Sequence, residues 1–162
     1  MLRYLNYNIV FQEVPDEVRL AIHISQCPHR CKGCHSPILQ QNSGEYLNES
    51  VLDHLLYRYQ NAITCICFMG GDANPKEVER LALYVKQHSN IQTAWYSGSV
   101  KIPAYCNILA FDYIKIGPYI EHLGGLNSTT TNQRFYAVRN GTLINITNRF
   151  QKKQALSMLN CV

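Results

Sequence analysis

Hydrophobic and polar positions alternate along this chain in a way that divides it into short strands and amphipathic helices. Val18–Ser25 sets Leu20, Ile22 and Ile24 on one face and reads as a strand. Tyr7 to Val14 is more weakly patterned and ends at Pro15, so it reads as an arm or a short edge strand. Asn42-Ser43-Gly44 is a turn signal. Beyond it, Glu49 to Tyr59 places Val51, Leu52, Leu55, Leu56 and Tyr59 at helical spacing, with Asn48 as N-cap. Ile63 to Phe68 is a short apolar run that stops at Gly70-Gly71-Asp72. A second helix opens with Asn74 as N-cap and Pro75 in its first position, and its apolar face carries Val78, Leu81, Ala82 and Val85. Ile91–Tyr96 is the next strand, closed by Ser97-Gly98. Ile108 to Ile116 follows and is stopped by Gly117-Pro118. Phe135–Ile146 reads as a hairpin around Asn140-Gly141. A closing helix is expected over about Arg149 to Leu159.

Strands that alternate with helices imply an α/β fold with a mostly parallel sheet and right-handed crossovers. In such sheets the ligand crevice lies at the carboxyl ends of the strands. Four polar or glycine-rich signals fall at predicted strand ends: a cysteine-rich loop after Ser25, Gly70-Gly71-Asp72, Ser97-Gly98 and Gly117-Pro118. Their convergence on one rim argues for a single site. The chain is too short for an eight-fold barrel, so a partial, open (β/α) barrel is expected. Residues 1–162 are expected to form one domain, with an N-terminal arm over 1–17 and a C-terminal helix over 149–162.

Composition narrows the class. With 162 residues, 46% of them apolar and 16% charged, the chain suits one domain with a substantial core. It shows no linker, repeat or low-complexity tract. The N-terminus lacks an apolar run long enough for a signal peptide. No stretch approaches the roughly 20 apolar residues of a membrane span. A cytoplasmic location without membrane attachment is therefore expected. The formal charge of +4 is modest and its basic residues form no run, which argues against nucleic acid as a partner. Seven cysteines in a reducing compartment point to metal or redox chemistry rather than to a disulfide framework.

Three of those cysteines lie in Cys27-Pro28-His29-Arg30-Cys31-Lys32-Gly33-Cys34, at the spacing C-x3-C-x2-C. A structural zinc site usually takes four protein ligands, often as two C-x2-C pairs. No fourth cysteine is near, although His29 or His35 could supply a ligand. Three thiolates on a tight loop suit a [4Fe–4S] cluster with three irons held by protein and one left open. Arg30 and Lys32 flank the thiolates and could offset their charge, or could simply be solvated loop residues. Cys65 and Cys67 lie on one face of a predicted strand and read as small core residues. Cys106 and Cys161 are isolated.

The cysteine motif after a first strand, followed by a Gly-Gly-acidic turn after the next, resembles the radical S-adenosylmethionine (SAM) superfamily. Within it, Cys34-His35-Ser36-Pro37 and the segment Asp112-Tyr113-Ile114-Lys115-Ile116-Gly117-Pro118-Tyr119-Ile120-Glu121, continuing to Thr131-Asn132-Gln133-Arg134, resemble the activating proteins of anaerobic ribonucleoside-triphosphate reductases. The likeness runs from about Val14 to Phe150. It implies one [4Fe–4S] cluster per chain on Cys27, Cys31 and Cys34, with SAM chelating the open iron. It further implies reductive cleavage of SAM to a 5′-deoxyadenosyl radical, a glycyl radical formed on the reductase as protein partner, and a flavodoxin-type electron donor.

The resemblance also implies a SAM site built from Gly70, Gly71 and Asp72, which would receive the methionyl ammonium, with Ser97 and Lys115 nearby. Asp72 stands where the family more often has Glu. Gly33 stands where many members carry an aromatic that packs on adenine, and His35 is the candidate to replace it. Asn132, Gln133 and Arg134 could shape the rim, dock the reductase or anchor a loop. Two further readings remain at this level. One is another small radical-SAM enzyme, either a different glycyl-radical activase or one like the deazaguanine synthase. The other is a non-enzymatic zinc or iron–sulfur module.

Overall fold

In the computed structural model, which describes residues 1–11 and 17–151, eight strands form one open, mixed sheet. The strands are β1 (Leu2–Val10), β2 (Arg19–Ile24), β3 (Glu45–Leu47), β4 (Cys65–Met69), β5 (Gln92–Tyr96), β6 (Tyr113–Ile116), β7 (Arg134–Arg139) and β8 (Thr142–Asn145). They lie side by side in the order β3-β1-β2-β4-β5-β6-β7-β8. Two complete α-helices lie among the described residues, α1 (Glu49–Tyr59) and α2 (Pro75–His88). The α/β class is as the sequence predicts. No helix among the described residues is long and apolar enough to cross a membrane.

Both helices start where their caps dictate. The Asn48 side chain accepts from the Val51 N–H at 3.1 Å, and the Asn74 side chain accepts from the Glu77 N–H at 3.3 Å. Pro75, lacking an N–H, sits in the first turn of α2, where that donor would have no partner inside the helix. Leu52, Leu55 and Leu56 of α1, with Val78, Leu81, Ala82 and Val85 of α2, cover one face of the sheet. There they meet Leu20, Ile22, Ile24, Ile66, Phe68, Trp95 and Ile114.

The sheet departs from the mostly parallel arrangement expected. Only β2–β4, β4–β5 and β5–β6 pair in parallel. The pairs β1–β2, β1–β3, β6–β7 and β7–β8 are antiparallel. Parallel neighbours need a crossover, which α1 supplies between β2 and β4 and α2 between β4 and β5. At one flank β7 returns directly into β8 through Asn140-Gly141, where φ of +51° and +73° makes the tight hairpin.

Two further expectations are corrected. The N-terminus is not an arm, because Leu2–Val10 lies inside the sheet between β2 and β3. Its signal is blurred by Asn6 and Asn8, polar residues in a strand whose Asn8 side chain is satisfied by His23 Nε2 at 2.7 Å. The segment Ile108 to Ile116 is not one strand either. Ile108–Ala110 is a 3-10 turn, capped by Asn107, and β6 begins only at Tyr113. The expected closing helix is seen in its first residues, 148–151, which are helical, while its remainder and Cys161 lie outside the described residues.

Candidate functional site

The carboxyl ends of β2, β4, β5 and β6 carry the four polar or glycine-rich segments, and all four lie along one rim. The cysteine loop leaves β2 and is held at its base by backbone pairing. Gln26 N donates to Gln41 O at 3.0 Å and Cys27 N to Leu39 O at 2.9 Å, so the 3-10 turn Pro37–Gln40 closes the loop. Ser25, buried at the end of β2, donates from its hydroxyl to Ser43 O at 2.6 Å. The result is a loop fixed at both ends with its three cysteines in between.

Cys27, Cys31 and Cys34 are unbridged and half-buried. Burial pushes the Cys27 thiol above its ordinary pKa, an effect opposed by a backbone hydrogen bond from His29 and reinforced by the charges of Asp72, Cys31 and Cys34. Ser36 N lies 3.4 Å from Cys34 Sγ and donates to it. Among the described residues, no three His, Cys, Asp or Glu side chains gather around one point as a single metal ion requires. A four-iron cluster gives each thiolate its own iron. Three accessible thiols on one clamped loop, one already receiving an N–H, are a donor set that fits such a cluster.

Neither histidine of the loop is turned toward the thiols as a spare ligand. His29 Nε2 lies 3.5 Å from Asp72 Oδ2 and 3.4 Å from Ser99 Oγ. Its ring packs on Gly98, where an added Cβ would stand 2.5 Å from His29 Cδ2. His35 is exposed and sets its ring edge-on to Tyr119, with centroids 4.8 Å apart. Gly33, in the position of the expected aromatic, has φ +72°, and a Cβ there would meet the Glu121 carboxyl carbon at 3.1 Å. Tyr119 and Glu121 therefore pack on the cysteine loop from the end of β6. Arg30 and Lys32 are exposed.

Gly70 and Gly71 turn the chain at the end of β4 with φ of +100° and +83°. A Cβ on Gly71 would strike Val78 Cγ2 at 2.5 Å, so the turn packs directly against α2. Gly70 O accepts from Trp95 Nε1 at 2.8 Å. The Asp72 side chain, 2% exposed, is an internal hub. Its carboxylate accepts from Gly98 N at 3.0 Å, from the Ser99 hydroxyl at 3.4 Å and from the Ser97 hydroxyl. Any approach of an ammonium group here meets the backbone of the turn more readily than this engaged carboxylate.

Lys115 lies beneath the rim and is 8% exposed. Its Nζ donates to Gly117 O at 2.6 Å and Ser97 O at 3.3 Å. Burial brings its pKa down to about 8, against the pull of Asp72, Cys31 and Cys27, whose negative charge favours the ammonium. The rim thus has a buried cation within electrostatic reach of two of the three cysteines. The Asn132 side chain donates to Pro118 O at 3.0 Å, and Gln133 packs its Cα against Gly117, so these two residues anchor the Gly117-Pro118 turn. Arg134 is exposed and donates to Thr131 O and Gln133 O.

His29, Ser99, Tyr119 and Glu121 are the neighbours of the site that sequence reasoning did not place. Gly98 was the available sign of the first, since a glycine with ordinary φ marks a close approach by something else. Cys65 and Cys67 are buried on the sheet face away from the helices, as expected of core residues. Burial raises the Cys65 thiol well above its ordinary pKa. Cys106 is half-buried, and its pKa is pushed up to about 11, chiefly by burial.

A family model described as a 4Fe-4S single cluster domain matches residues 16–108. That span is more than half of the 162-residue chain and includes the cysteine loop, Gly70-Gly71-Asp72 and Ser97-Gly98. No characterised protein and no solved structure matches the chain in the other two comparisons.

Proposed function

Because the chain belongs to the 4Fe-4S single cluster domain family, we propose that it is a radical-SAM enzyme that activates an anaerobic ribonucleoside-triphosphate reductase by generating a glycyl radical on it. The observation that carries this reading is the seating of C-x3-C-x2-C at the same rim as the Gly70-Gly71 turn, one beside the other on β2 and β4. The segment from Asp112 to Arg134, which bears the likeness to the reductase activators, supports the finer assignment. Bound on Cys27, Cys31 and Cys34, a [4Fe–4S] cluster would supply the single electron that reductive cleavage of SAM to methionine and a 5′-deoxyadenosyl radical requires.

The chain's own residues bind and orient. Cys27, Cys31 and Cys34 would hold three irons, on a loop whose closed base keeps the thiols presented together. Gly70 and Gly71 offer backbone without side chains, which suits the amino-acid end of SAM. Asp72 and Ser97 hold the β4 and β5 ends in register beneath it. Lys115 places a buried positive charge under a site that gains negative charge when thiolates bind iron. His35 and Tyr119 form an aromatic pair at the loop, available to a purine ring. Electrons would come from a flavodoxin-type donor.

Anaerobic reconstitution with iron and sulfide, reduction with dithionite and addition of SAM test the reading. The expected products are 5′-deoxyadenosine and methionine, absent when Cys27, Cys31 or Cys34 is replaced by Ala. With an anaerobic ribonucleotide reductase added, a glycyl-radical EPR doublet is expected. Release of the two products without a radical on the reductase points to another small radical-SAM enzyme. A stable zinc site with no SAM cleavage overturns the enzyme reading altogether.

A further inference from the structure

We propose that His29 is a positioning residue that fastens the cluster loop to the Gly70-Gly71-Asp72 turn, so that a ligand at either one stabilises the other. The inference deepens the proposed function and rests on it. Its basis is the geometry of the loop between the first two cysteines. His29 is the residue there whose side chain turns inward, with Pro28 and Arg30 exposed on either side. Its Nε2 is 3.5 Å from Asp72 Oδ2 and 3.4 Å from Ser99 Oγ. Its ring occupies the volume that a side chain at position 98 would fill, with Cδ2 2.5 Å from the ideal Cβ.

Asp72 carries the connection onward. The same carboxylate takes the Gly98 N–H at 3.0 Å and the Ser97 hydroxyl, and Ser97 O accepts from Lys115 Nζ at 3.3 Å. One continuous set of contacts therefore runs from the cysteine loop through the glycine turn to the buried lysine. A contact that both elements share is a means by which order imposed on one reduces the cost of ordering the other, and that coupling is reciprocal.

The test is the rate at which a chelator strips the reconstituted cluster, with and without SAM, in wild type, His29→Ala, His29→Gln and Gly98→Ala. A coupling free energy at the low end of the usual range corresponds to roughly fivefold to tenfold in rate or affinity. His29→Ala is expected to lose its cluster about tenfold faster than wild type, and SAM is expected to slow that loss less than it slows it in wild type. Gly98→Ala, which pushes the ring away, should behave as His29→Ala does. His29→Gln, whose side-chain amide can still reach toward Asp72 and Ser99, should recover part of both effects. Wild-type rates in His29→Ala and His29→Gln overturn the inference even if Gly98→Ala fails to fold. Faster loss with the full protection by SAM also overturns it, since His29 would then only staple the loop. A wild-type protein that takes up no cluster overturns the iron–sulfur reading as well, and that outcome is separable because it precedes any comparison of variants.

Discussion

Alternate residues of the same strands fill the two faces of this sheet, and the two faces differ in kind. Toward the helices stand Leu20, Ile22, Ile66, Phe68, Trp95 and Ile114, each 0% exposed. Toward the opposite face, register aligns Ala21, Cys67, Ala94, Tyr113 and Ala137 across β2, β4, β5, β6 and β7, four of them small. Two residues nearer the rim, the aligned set is His23, Met69, Tyr96, Lys115 and Phe135, which includes the buried cation. On the helix face the requirement is volume, because packed apolar area provides the stability. On the other face it is space and charge, because that face leads up to the cysteine loop. A period of two lets one strand meet both demands.

The sharpest way to break this division is to exchange the roles. Cys27→Ala should abolish cluster uptake, read as iron and sulfide per chain, while urea unfolding of the apo protein shifts by no more than about 1 kcal/mol. Phe68→Ala should do the reverse, costing the apo protein about 3–5 kcal/mol by the lost transfer energy and the cavity left behind. An apo fold that depends on Cys27 as strongly as on Phe68 would dissolve the distinction between the faces.

Lys115 offers a pH test. Burial lowers its pKa from 10.5 to about 8, so between those values the unfolded chain binds more protons than the folded one. The penalty, about 3 kcal/mol by the size of the shift, is fully present below pH 8 and is relieved as pH rises toward 10.5. Stability of apo wild type relative to apo Lys115→Met should therefore rise with pH across that window, as read from urea midpoints at several pH values. A difference that stays flat would mean that the ammonium is not held at a cost.

Smaller effects sharpen the boundary between the faces. Gly71→Ala puts a methyl 2.5 Å from Val78 Cγ2 at a φ of +83°, and a loss of about 1–3 kcal/mol is expected in thermal or urea unfolding. Cys67→Ala should cost only about 1 kcal/mol and leave iron content unchanged, since a small buried thiol contributes packing and no ligand. Loss of iron in Cys67→Ala would bring the inner face itself into the metal site.

Much of this was legible in the chain, and the reasons are local. The helices announced themselves through Asn48, Asn74 and Pro75, because caps and periodicity act within a few residues. Leu20, Ile22 and Ile24 marked β2 for the same reason, and Asn140-Gly141 marked the hairpin. The central strands and their rim followed from alternation. What could not be read was pairing at a distance. β3 has only three residues and is held by β1, more than thirty residues away in sequence. β1 itself hides its pattern behind Asn6 and Asn8. The antiparallel pairing of β6 with β7 could not be read either, because the chain between them is as long as that of the parallel pair β5–β6.

By itself, then, the sequence determined the three thiols, their spacing, the glycine turns and the two capped helices, since each depends on neighbours along the chain. Only the tertiary structure decided what those parts meet. It turned His29 to Asp72 instead of leaving it a spare ligand, and it engaged Asp72 with Ser97, Gly98 and Ser99. It brought Tyr119 and Glu121 onto the cysteine loop from eighty-odd residues away and buried Lys115 beneath the rim. The physical reason is that a side chain's partners are chosen by the packing of strand ends, which becomes defined only when the whole sheet has closed its long-range hydrogen bonds.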